Sequence, residues 1–250
     1  MSAQLQIGNT VLHYKQTTST NDLAKQLIQQ HSVPNGSVVV AAFQTQGKGQ
    51  QEKIWESEEG KNLLCTYILH ELDIDFQYHI YFNMAISCAL RKCIAFFIPQ
   101  QNVQIKWPND VYVNKRKIAG LLIENNIMGE SWKHAFVGIG INVNQSNFNQ
   151  EIATSLALLA NNEFDINEVL QVASIQLMHY LSMLNEADKE NIHAEYHAHL
   201  MHIDEMTRYL AHGQEKQGIL RGIDKYGRVI MENNSQTETY QHGEIKLIVS

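Results

Sequence analysis

Short apolar segments, each limited by polar or turn residues, constrain the fold most strongly. Residues 38–43 are almost entirely apolar and have the length of a strand that is buried on both faces. Residues 20–30 and 166–184 instead carry apolar side chains at helical spacing. Beyond these helices the pattern returns to short strands, with a turn signal at 224–227. The chain is therefore predicted to mix helices and strands and to end in a small β-barrel at residues 205–250.

Length and charge exclude several classes of protein. The 250 residues are enough for one full-sized domain, or for a large domain with a small appendage. The formal net charge is −7, whereas a dedicated DNA-binding chain normally presents a basic field. No apolar run approaches the length of a membrane span, and residues 1–4 show no secretory signal, so we expect neither. The three cysteines lack metal-ligand spacing, which predicts reduced thiols and a cytoplasmic location.

A long polar loop at residues 44–61 follows the apolar strand. Its Gly47-Lys48-Gly49 segment combines backbone freedom with a positive charge, which suits phosphate binding. The pattern is neither a Walker A loop nor a dinucleotide-binding fingerprint, and a mobile surface loop would show the same glycines. Trp55 disfavours that alternative, because a large aromatic side chain in a polar loop needs protein or a planar ligand such as adenine to cover it.

Residues 105–118 are locally basic. Their charged side chains leave an excess of three positive charges: Lys106, Lys115, Arg116 and Lys117 against Asp110. Lys117 precedes an apolar strand that would hold its backbone, so the sequence predicts a positioned cation beside Asp110 that acts on an anionic ligand. A solvated basic hairpin around Asn114-Lys115 is the alternative interpretation.

Two further patterns allow more than one interpretation. Gly138 and Gly140 lie inside an apolar strand, which is typical of close backbone approach to a ligand and equally of tight strand packing. Asn142 follows at the strand end, where its side chain can face a cleft. His193 and His197 are one helical turn apart but lack the glutamate of a metalloprotease motif, so we predict a solvated helix face and no metal site.

Taken in order, these motifs resemble those of the biotin–protein ligase family over nearly the whole chain. The segments that carry the resemblance are Ser19-Thr20-Asn21, Gln44 with the 47–55 loop, the KWPND segment at 106–110, the RKIAG segment at 116–120, and the 138–142 strand. The resemblance implies an α/β (α+β) fold of the class II synthetase type, with a mixed sheet flanked by helices at residues 1–203. It also implies a small C-terminal SH3-like β-barrel at residues 204–250.

The resemblance implies a two-step activity. Biotin and ATP would give biotinyl-5′-AMP and pyrophosphate, and the biotinyl group would then pass to a lysine of a biotin carboxyl carrier protein domain. Two anions must meet in the first step, so positioned cations are required, and Mg²⁺ would be carried by the ATP phosphates. The short form of the family, without an N-terminal DNA-binding domain, is expected because only 18 residues precede Ser19. The expected partners are the carrier domain, biotin and ATP, and neither a nucleic acid nor a membrane is expected. The protein could be a monomer or a homodimer.

The resemblance also assigns roles to residues of this chain. The catalytic residues would be Lys117, Lys48 and Asp110. The biotin-binding residues would be Ser19, Thr20, Asn21, Gln44, Gly49, Gln50, Lys117, Gly120 and Leu121. The residues that bind ATP or the adenylate would be Lys48, Lys53, Trp55, Lys106, Asn109, Lys117 and Asn142. Asp110 is a candidate general base for the transfer step, or simply holds Lys117.

The 47–55 loop departs from the family pattern, which is richer in arginine. Lysine replaces arginine at 48 and 53, glutamine replaces it at Gln50, and Glu52 stands in place of a glycine. Lysine keeps the charge without the bidentate fork, and Gln50 has no charge, so we expect the activated intermediate to dissociate faster here. We also expect the loop at residues 45–61 to be disordered without ligand and to order over biotin and the adenylate.

Two alternatives remain open from the sequence. Lipoate–protein ligases and octanoyl transferases share the fold, but their glycine-rich arginine motif with a histidine is not found in this chain. A non-catalytic binder of biotin or of a nucleotide is the second alternative, because the loop is altered.

Overall fold

The apolar runs of the first two thirds of the chain form one sheet. The computed structural model describes residues 6–30, 33–50, 53–70, 78–128, 131–149 and 152–249. The strands of this sheet are β1 (Val11–Thr17), β2 (Ser37–Gln44), β3 (Leu63–His70), β4 (Val103–Lys106), β5 (Asp110–Val113), β6 (Arg116–Met128) and β7 (Ser131–Ile141). Their order is β1-β2-β3-β7-β6-β5-β4. β1 pairs with β2 in parallel and the other neighbours pair antiparallel, so the predicted mixed sheet is confirmed.

Helices cover both faces of this sheet. They are α1 (Thr20–Gln30), α2 (His79–Phe97), α3 (Leu156–Ala160), α4 (Ile166–Ser182) and α5 (Lys189–Ala198). Alternate residues of β2 show the two buried faces: Val38 and Val40 join the main core with α2 and α4, whereas Val39 packs in a smaller cluster with Ala24 of α1. The prediction that this strand is buried on both faces is confirmed.

The basic segment at residues 105–118 contains a hairpin, in which β5 and β6 are joined by a tight turn. Asn114 and Lys115 form its two-residue turn, with positive φ angles of 50° and 63°. Two successive left-handed residues match the right-handed twist of the flanking strands, and asparagine tolerates this conformation best after glycine. The predicted hairpin is therefore present at the predicted turn.

α2 is the longest helix of the described chain, with 19 residues, and it is largely apolar. Its length and its mean hydropathy of 1.3 would suffice to cross a membrane, but 56% of that window is buried inside the protein. It packs against α4, α5 and β4. Those contacts are what the central core helix of a folded domain makes.

The last part of the chain forms a second sheet. Its strands are β8 (Met206–Ala211), β9 (Gln214–Ile223), β10 (Val229–Asn233), β11 (Gln236–Tyr240) and β12 (Ile245–Leu247), in the order β11-β10-β9-β8-β12 with antiparallel pairing. Among the described residues the edge strands β11 and β12 are not paired with each other, so the strand ladder does not close this sheet into the predicted barrel. Its buried side chains, such as Tyr209 and Leu220, belong to the same core cluster as the first sheet.

Side chains also tie the second sheet to the first part of the chain. Trp107 Nε1 donates to the carbonyl oxygen of Gly227 at 3.1 Å. His197 Nε2 lies 3.1 Å from the carbonyl oxygen of Arg221, and His193 stacks on His197 with 6.1 Å between ring centroids. These two histidines therefore contact β9 rather than forming the free solvated face that was predicted.

Three elements were absent from the predictions. α3 is short, with Ser155 as its N-cap, whose side chain accepts from the amide of Leu158 at 3.3 Å. β8 alternates exposed and buried residues, and β11 is exposed at all positions before Tyr240.

The packing of α2 gives a stability prediction. Ile94 is fully buried, whereas Phe96 on the same helix is 60% exposed. We expect Ile94→Ala to lower the free energy of unfolding by about 2–5 kcal/mol, because it leaves a cavity in the core. Phe96→Ala should cost less than about 1 kcal/mol. Urea denaturation of both variants measures this difference, and equal losses would contradict the described packing.

Candidate functional site

A cavity of about 920 Å³ opens on the face of the first sheet that carries α1. Its walls come from the first turn of α1, the end of β2 with the loop after it, the start of β5 and of β6, the end of β7, and the residues that follow β7. The predicted residues that line it are Ser19, Thr20, Asn21, Gln44, Lys48, Gly49, Gln50, Lys53, Trp55, Asp110, Lys117, Gly120, Leu121 and Asn142. The fold thus brings together predicted site residues from Ser19 to Asn142, which are far apart in the sequence.

One end of the cavity is polar and tightly hydrogen-bonded. Gln44 Oε1 accepts from the amide of Thr20 at 2.7 Å and lies 3.0 Å from its hydroxyl, which also donates to it. Thr66 Oγ1 lies 2.8 Å from Thr20 Oγ1 and 2.6 Å from Asn21 Oδ1. Thr20, Asn21 and Thr66 are all buried. Buried polar groups need partners, so this end suits a ligand that is itself polar.

Thr66 is a site residue that the sequence analysis missed. It is the polar residue in an apolar strand, Leu-Leu-Cys-Thr-Tyr-Ile-Leu, and it is fully buried. Cys65 and Tyr67 on either side point into the main core, so alternation along β3 places Thr66 on the cavity face. A single polar position within such a strand was the signal available.

Lys117 and Asp110, which both line the cavity, form an ion pair with 2.7 Å between Nζ and Oδ1. Their side chains are 29% and 30% exposed, so the pair is partly shielded from water. The backbone of Lys117 is fixed on its other side, where its amide donates to Ile152 at 2.6 Å and its carbonyl accepts from Thr154 at 2.9 Å. The predicted positioned cation beside Asp110 is therefore present, and the segment 152–154 holds it.

A β-bulge determines which face Lys117 occupies. Asp110 pairs with Gly120 and Val111 with Ala119, but Tyr112 pairs with Lys117, so Ile118 is the extra residue of β6. Ile118 is fully buried in the main core. The extra residue reverses the alternation and brings Lys117 onto the cavity face with Gly120.

The ring of Trp55 packs against Gly120 and Gly140 of the sheet, which we call the glycine floor. A Cβ atom at Gly140 would come within 2.6 Å of the Trp55 ring, and one at Gly120 within 3.1 Å. Lys117 Nζ lies 5.5 Å from the centre of the same ring, within the range of a cation–π contact. Trp55 Nε1 is buried, and no partner for it is found within the described part of the chain. The glycines of β6 and β7 thus admit the close approach of an aromatic side chain, which the sequence left open as tight packing or ligand contact.

The loop that carries Trp55 folds back on itself. The amide of Gly49 donates to Lys53 at 2.6 Å, and the amide of Trp55 donates to Gly47 at 2.9 Å. Lys48 Nζ lies 2.7 Å from Oδ2 of Asp22 in α1. That hydrogen-bonded carboxylate raises the pKa of Lys48 above its ordinary value. Glu52, one of the departures from the family pattern, lies outside the described residues.

Two predicted residues lie outside the first cavity. Lys106 lines a second cavity of about 330 Å³, which shares Gln50, Lys53 and Asp110 with the first. Its remaining walls come partly from the second sheet. Burial lowers the pKa of Lys106. Asn109 is buried beneath the site, where its Nδ2 donates to the carbonyl oxygen of Leu121 at 3.0 Å.

Asn142 lines the cavity and also has a structural contact. Its Nδ2 donates to the carbonyl oxygen of Thr154 at 3.0 Å, so it holds the segment that fixes Lys117. Within the described ranges no group of three or more histidine, cysteine, aspartate or glutamate side chains could hold a metal ion.

The close approach of Trp55 to Gly140 gives a spectroscopic prediction. We expect Gly140→Ala to displace the ring into water, because an added methyl group would overlap it. Tryptophan emission should then shift to the red while the far-UV circular dichroism stays unchanged. In a Trp55→Phe background the same substitution should leave the emission of the other tryptophans as it was; a shift there would contradict the described contact.

A family profile and several known proteins that are similar to this chain in sequence carry the names of ligases. The profile of the "Biotin/lipoate A/B protein ligase family" matches residues 13–142, just over half of the chain. A relative in Bacillus subtilis, "Bifunctional ligase/repressor BirA", is 33% identical over 170 residues, which are 66% of this chain and 51% of the relative. A relative in Mycobacterium tuberculosis, "Biotin--[acetyl-CoA-carboxylase] ligase", is 27% identical over 92% of this chain and 86% of its own.

Solved structures show the same fold. "Biotin protein ligase from Aquifex aeolicus in complex with biotin and ATP" superimposes with a TM-score of 0.79 at 24% identity, over 97% of this chain and 100% of the other. The chain spans about half the length of the Bacillus relatives that it matches, 51% in each case. The match of the family profile across α1, the cavity and β7 shows that the chain belongs to the Biotin/lipoate A/B protein ligase family.

Proposed function

We propose that this protein is a biotin–protein ligase that uses ATP to activate biotin and transfers it to a lysine of a carrier domain. The observation that carries the proposal is the Lys117–Asp110 pair at 2.7 Å, fixed between the polar end of the cavity and Trp55. A cation held at that point can neutralise two anions that must meet there, a carboxylate and a phosphate. Relatives and solved structures named as biotin ligases support the proposal.

In the proposed first step, a carboxylate oxygen of biotin attacks the α-phosphorus of ATP. The new P–O bond gives biotinyl-5′-AMP, and pyrophosphate leaves with the electrons of the broken bond. Lys117 would lie between the carboxylate and the α-phosphate, and Lys48 would leave Asp22 to approach the same charges. The ureido ring would occupy the polar end formed by Ser19, Thr20 and Gln44.

In the proposed second step, the ε-amine of an acceptor lysine attacks the carbonyl carbon of the adenylate. The C–N bond forms, AMP leaves, and one proton is lost from the amine. Asp110 pairs with Lys117 and is proposed to orient it. As a second role, Asp110 would accept the proton that the acceptor amine releases. The name of the Mycobacterium tuberculosis relative supports a biotin carboxyl carrier domain of a carboxylase as the acceptor.

The cations of the cavity fit a nucleotide that brings its own metal. Lysines surround the region where phosphates would lie, namely Lys48, Lys53 and Lys117. The lining also carries the carboxylates of Glu56, Glu58 and Asp110, but no group of three or more potential metal ligands forms among the described residues. We therefore propose that Mg²⁺ enters on the ATP phosphates, where it would neutralise charge on the leaving pyrophosphate.

The remaining expectations are kept as proposals. The net charge of −7 supports a chain that does not itself bind DNA, and the three free, buried cysteines suit a cytoplasmic location. We place the domain boundary between residues 203 and 204, close to the start of β8, and propose that the second sheet is a variant of an SH3-like barrel.

Removal of Lys117 tests the proposed activity. We expect Lys117→Ala to lower biotin-dependent exchange of labelled pyrophosphate into ATP by about 10²- to 10³-fold, because charge in the transition state loses its cation. Lys15→Ala, an exposed lysine of β1 outside the cavity, is the matched control. Lipoate replaces biotin in a parallel assay.

The outcomes separate the alternatives. Exchange with lipoate only would move the function to the lipoate branch of the family. No exchange with either acid, in a protein that still melts at a higher temperature with biotin, would indicate a binding protein. Full exchange by Lys117→Ala would contradict the role given to this residue.

The altered loop gives a second prediction. Gln50 lines both cavities and carries no charge, so the adenylate should be held weakly from this side. We expect Gln50→Arg to slow the release of biotinyl-5′-AMP by about tenfold, which is the effect of one charge-assisted hydrogen bond. Single-turnover release of labelled adenylate measures this rate, with Gln30→Arg at the exposed end of α1 as control. An unchanged rate would show that the loop does not limit retention.

A further inference from the structure

Asn21 has a fixed amide within the polar end of the cavity. It lies in the first turn of α1 and is 3% exposed. Its Oδ1 lies so close above Gly138 that any side chain at 138 would displace it. Its position is therefore set by the sheet beneath it, and its orientation depends on its hydrogen-bond partners.

The Nδ2 group of Asn21 faces two acceptors. It donates to Glu124 Oε2 at 2.7 Å and to the carbonyl oxygen of Leu122 at 3.2 Å. A carboxylate and a carbonyl cannot donate, so the opposite orientation of the amide would place oxygen against oxygen twice. Lys25 Nζ, 2.6 Å from the other oxygen of Glu124, holds this carboxylate in place.

The Oδ1 atom of Asn21 therefore lies on the side of the amide away from Glu124, next to Thr66 and to Gly138, and Gly138 lines the cavity. Thr66 can donate its single proton to this oxygen across 2.6 Å, which uses one of two lone pairs. On the neighbouring wall, Gln44 is oriented in the opposite sense, because its Oε1 accepts from Thr20 and its Nε2 remains to donate. The lining of the cavity thus holds one amide oriented as an acceptor and one oriented as a donor, which complements the N–H and C=O groups of a cyclic urea.

We propose that Glu124, which lies outside the lining of the cavity, is the positioning residue that makes the site selective for a cyclic urea with a free ring N–H. The inference rests on the proposed function, since it deepens the recognition of biotin at that site. Glu124 acts through Asn21: it fixes the amide so that an acceptor, and not a donor, meets the ligand. It takes no part in the transfer of the adenylyl group.

The first test replaces the carboxylate by an amide of the same shape. Glu124→Gln can accept or donate, so only the longer hydrogen bond to the carbonyl oxygen of Leu122 still favours one orientation of the Asn21 amide. We expect the KM for biotin in pyrophosphate exchange to rise about tenfold while kcat stays within about twofold. The preference for biotin over an analogue with a methylated ring nitrogen should fall by a similar factor. Glu163→Gln, at an exposed carboxylate paired with Lys61 at 3.3 Å, is the matched control.

The second test reverses the hydrogen bond between the two side chains. Asn21→Asp alone places two carboxylates against each other and should raise the KM for biotin by at least about thirtyfold. Combining Asn21→Asp with Glu124→Gln restores a donor opposite an acceptor and the wild-type net charge. We expect at least a tenfold recovery, incomplete because the carbonyl oxygen of Leu122 still faces position 21.

These measurements separate the inference from the proposed function. Biotin binding by calorimetry accompanies each assay, and thermal melting shows whether each variant folds. Wild-type affinity and selectivity in Glu124→Gln, or no recovery in the double variant when it is folded, would overturn the inference. Absence of exchange in the wild-type protein would overturn the proposed function instead, and the binding constants would still report on Glu124.

Discussion

The pairing register of β5, β6, β7 and β3 is the constraint on which the site depends. Asp110 stands opposite Gly120, Gly120 opposite Gly140, and Gly140 opposite Leu64. This row brings a carboxylate and two positions without side chains to one face of the sheet. A slip of one residue would turn every one of them to the other face, into the apolar core. The bulge at Ile118 then adds Lys117 to the same face.

The sequence could predict elements whose signal is local. The apolar runs of β2 and β3 and the Asn-Lys turn were each visible within a few residues. Lys117 and Asp110 were also predictable as neighbours, because a tight hairpin brings positions seven apart together. In each case the interaction that decides the structure lies within one window of the chain.

Features that depend on distant partners could not be found in this way. Asn21 and Glu124 are 103 positions apart, and Asn21 and Thr66 are 45 apart, so their hydrogen bonds exist only once α1 lies on the sheet. The strand β11 has an almost fully exposed polar sequence, and its pairing with β10 stabilises it rather than burial. The placement of Lys106 in a second cavity likewise depends on how the two sheets meet.

The glycine floor beneath Trp55 has a consequence for how such a site can change its ligand. The floor consists of peptide backbone whose amide and carbonyl groups are already engaged in the strand ladder, so it offers little directional recognition. Choice among ligands must then come from the side chains around the floor, which we call the rim: those of α1, of Gln44 and the loop after β2, and of Lys117 and Glu124 in β6. Rim residues can be exchanged without disturbing the ladder, so selectivity and stability are separable properties of this architecture. Variants substituted only at rim residues should therefore differ in which ligands they bind while the stability of the sheet stays the same.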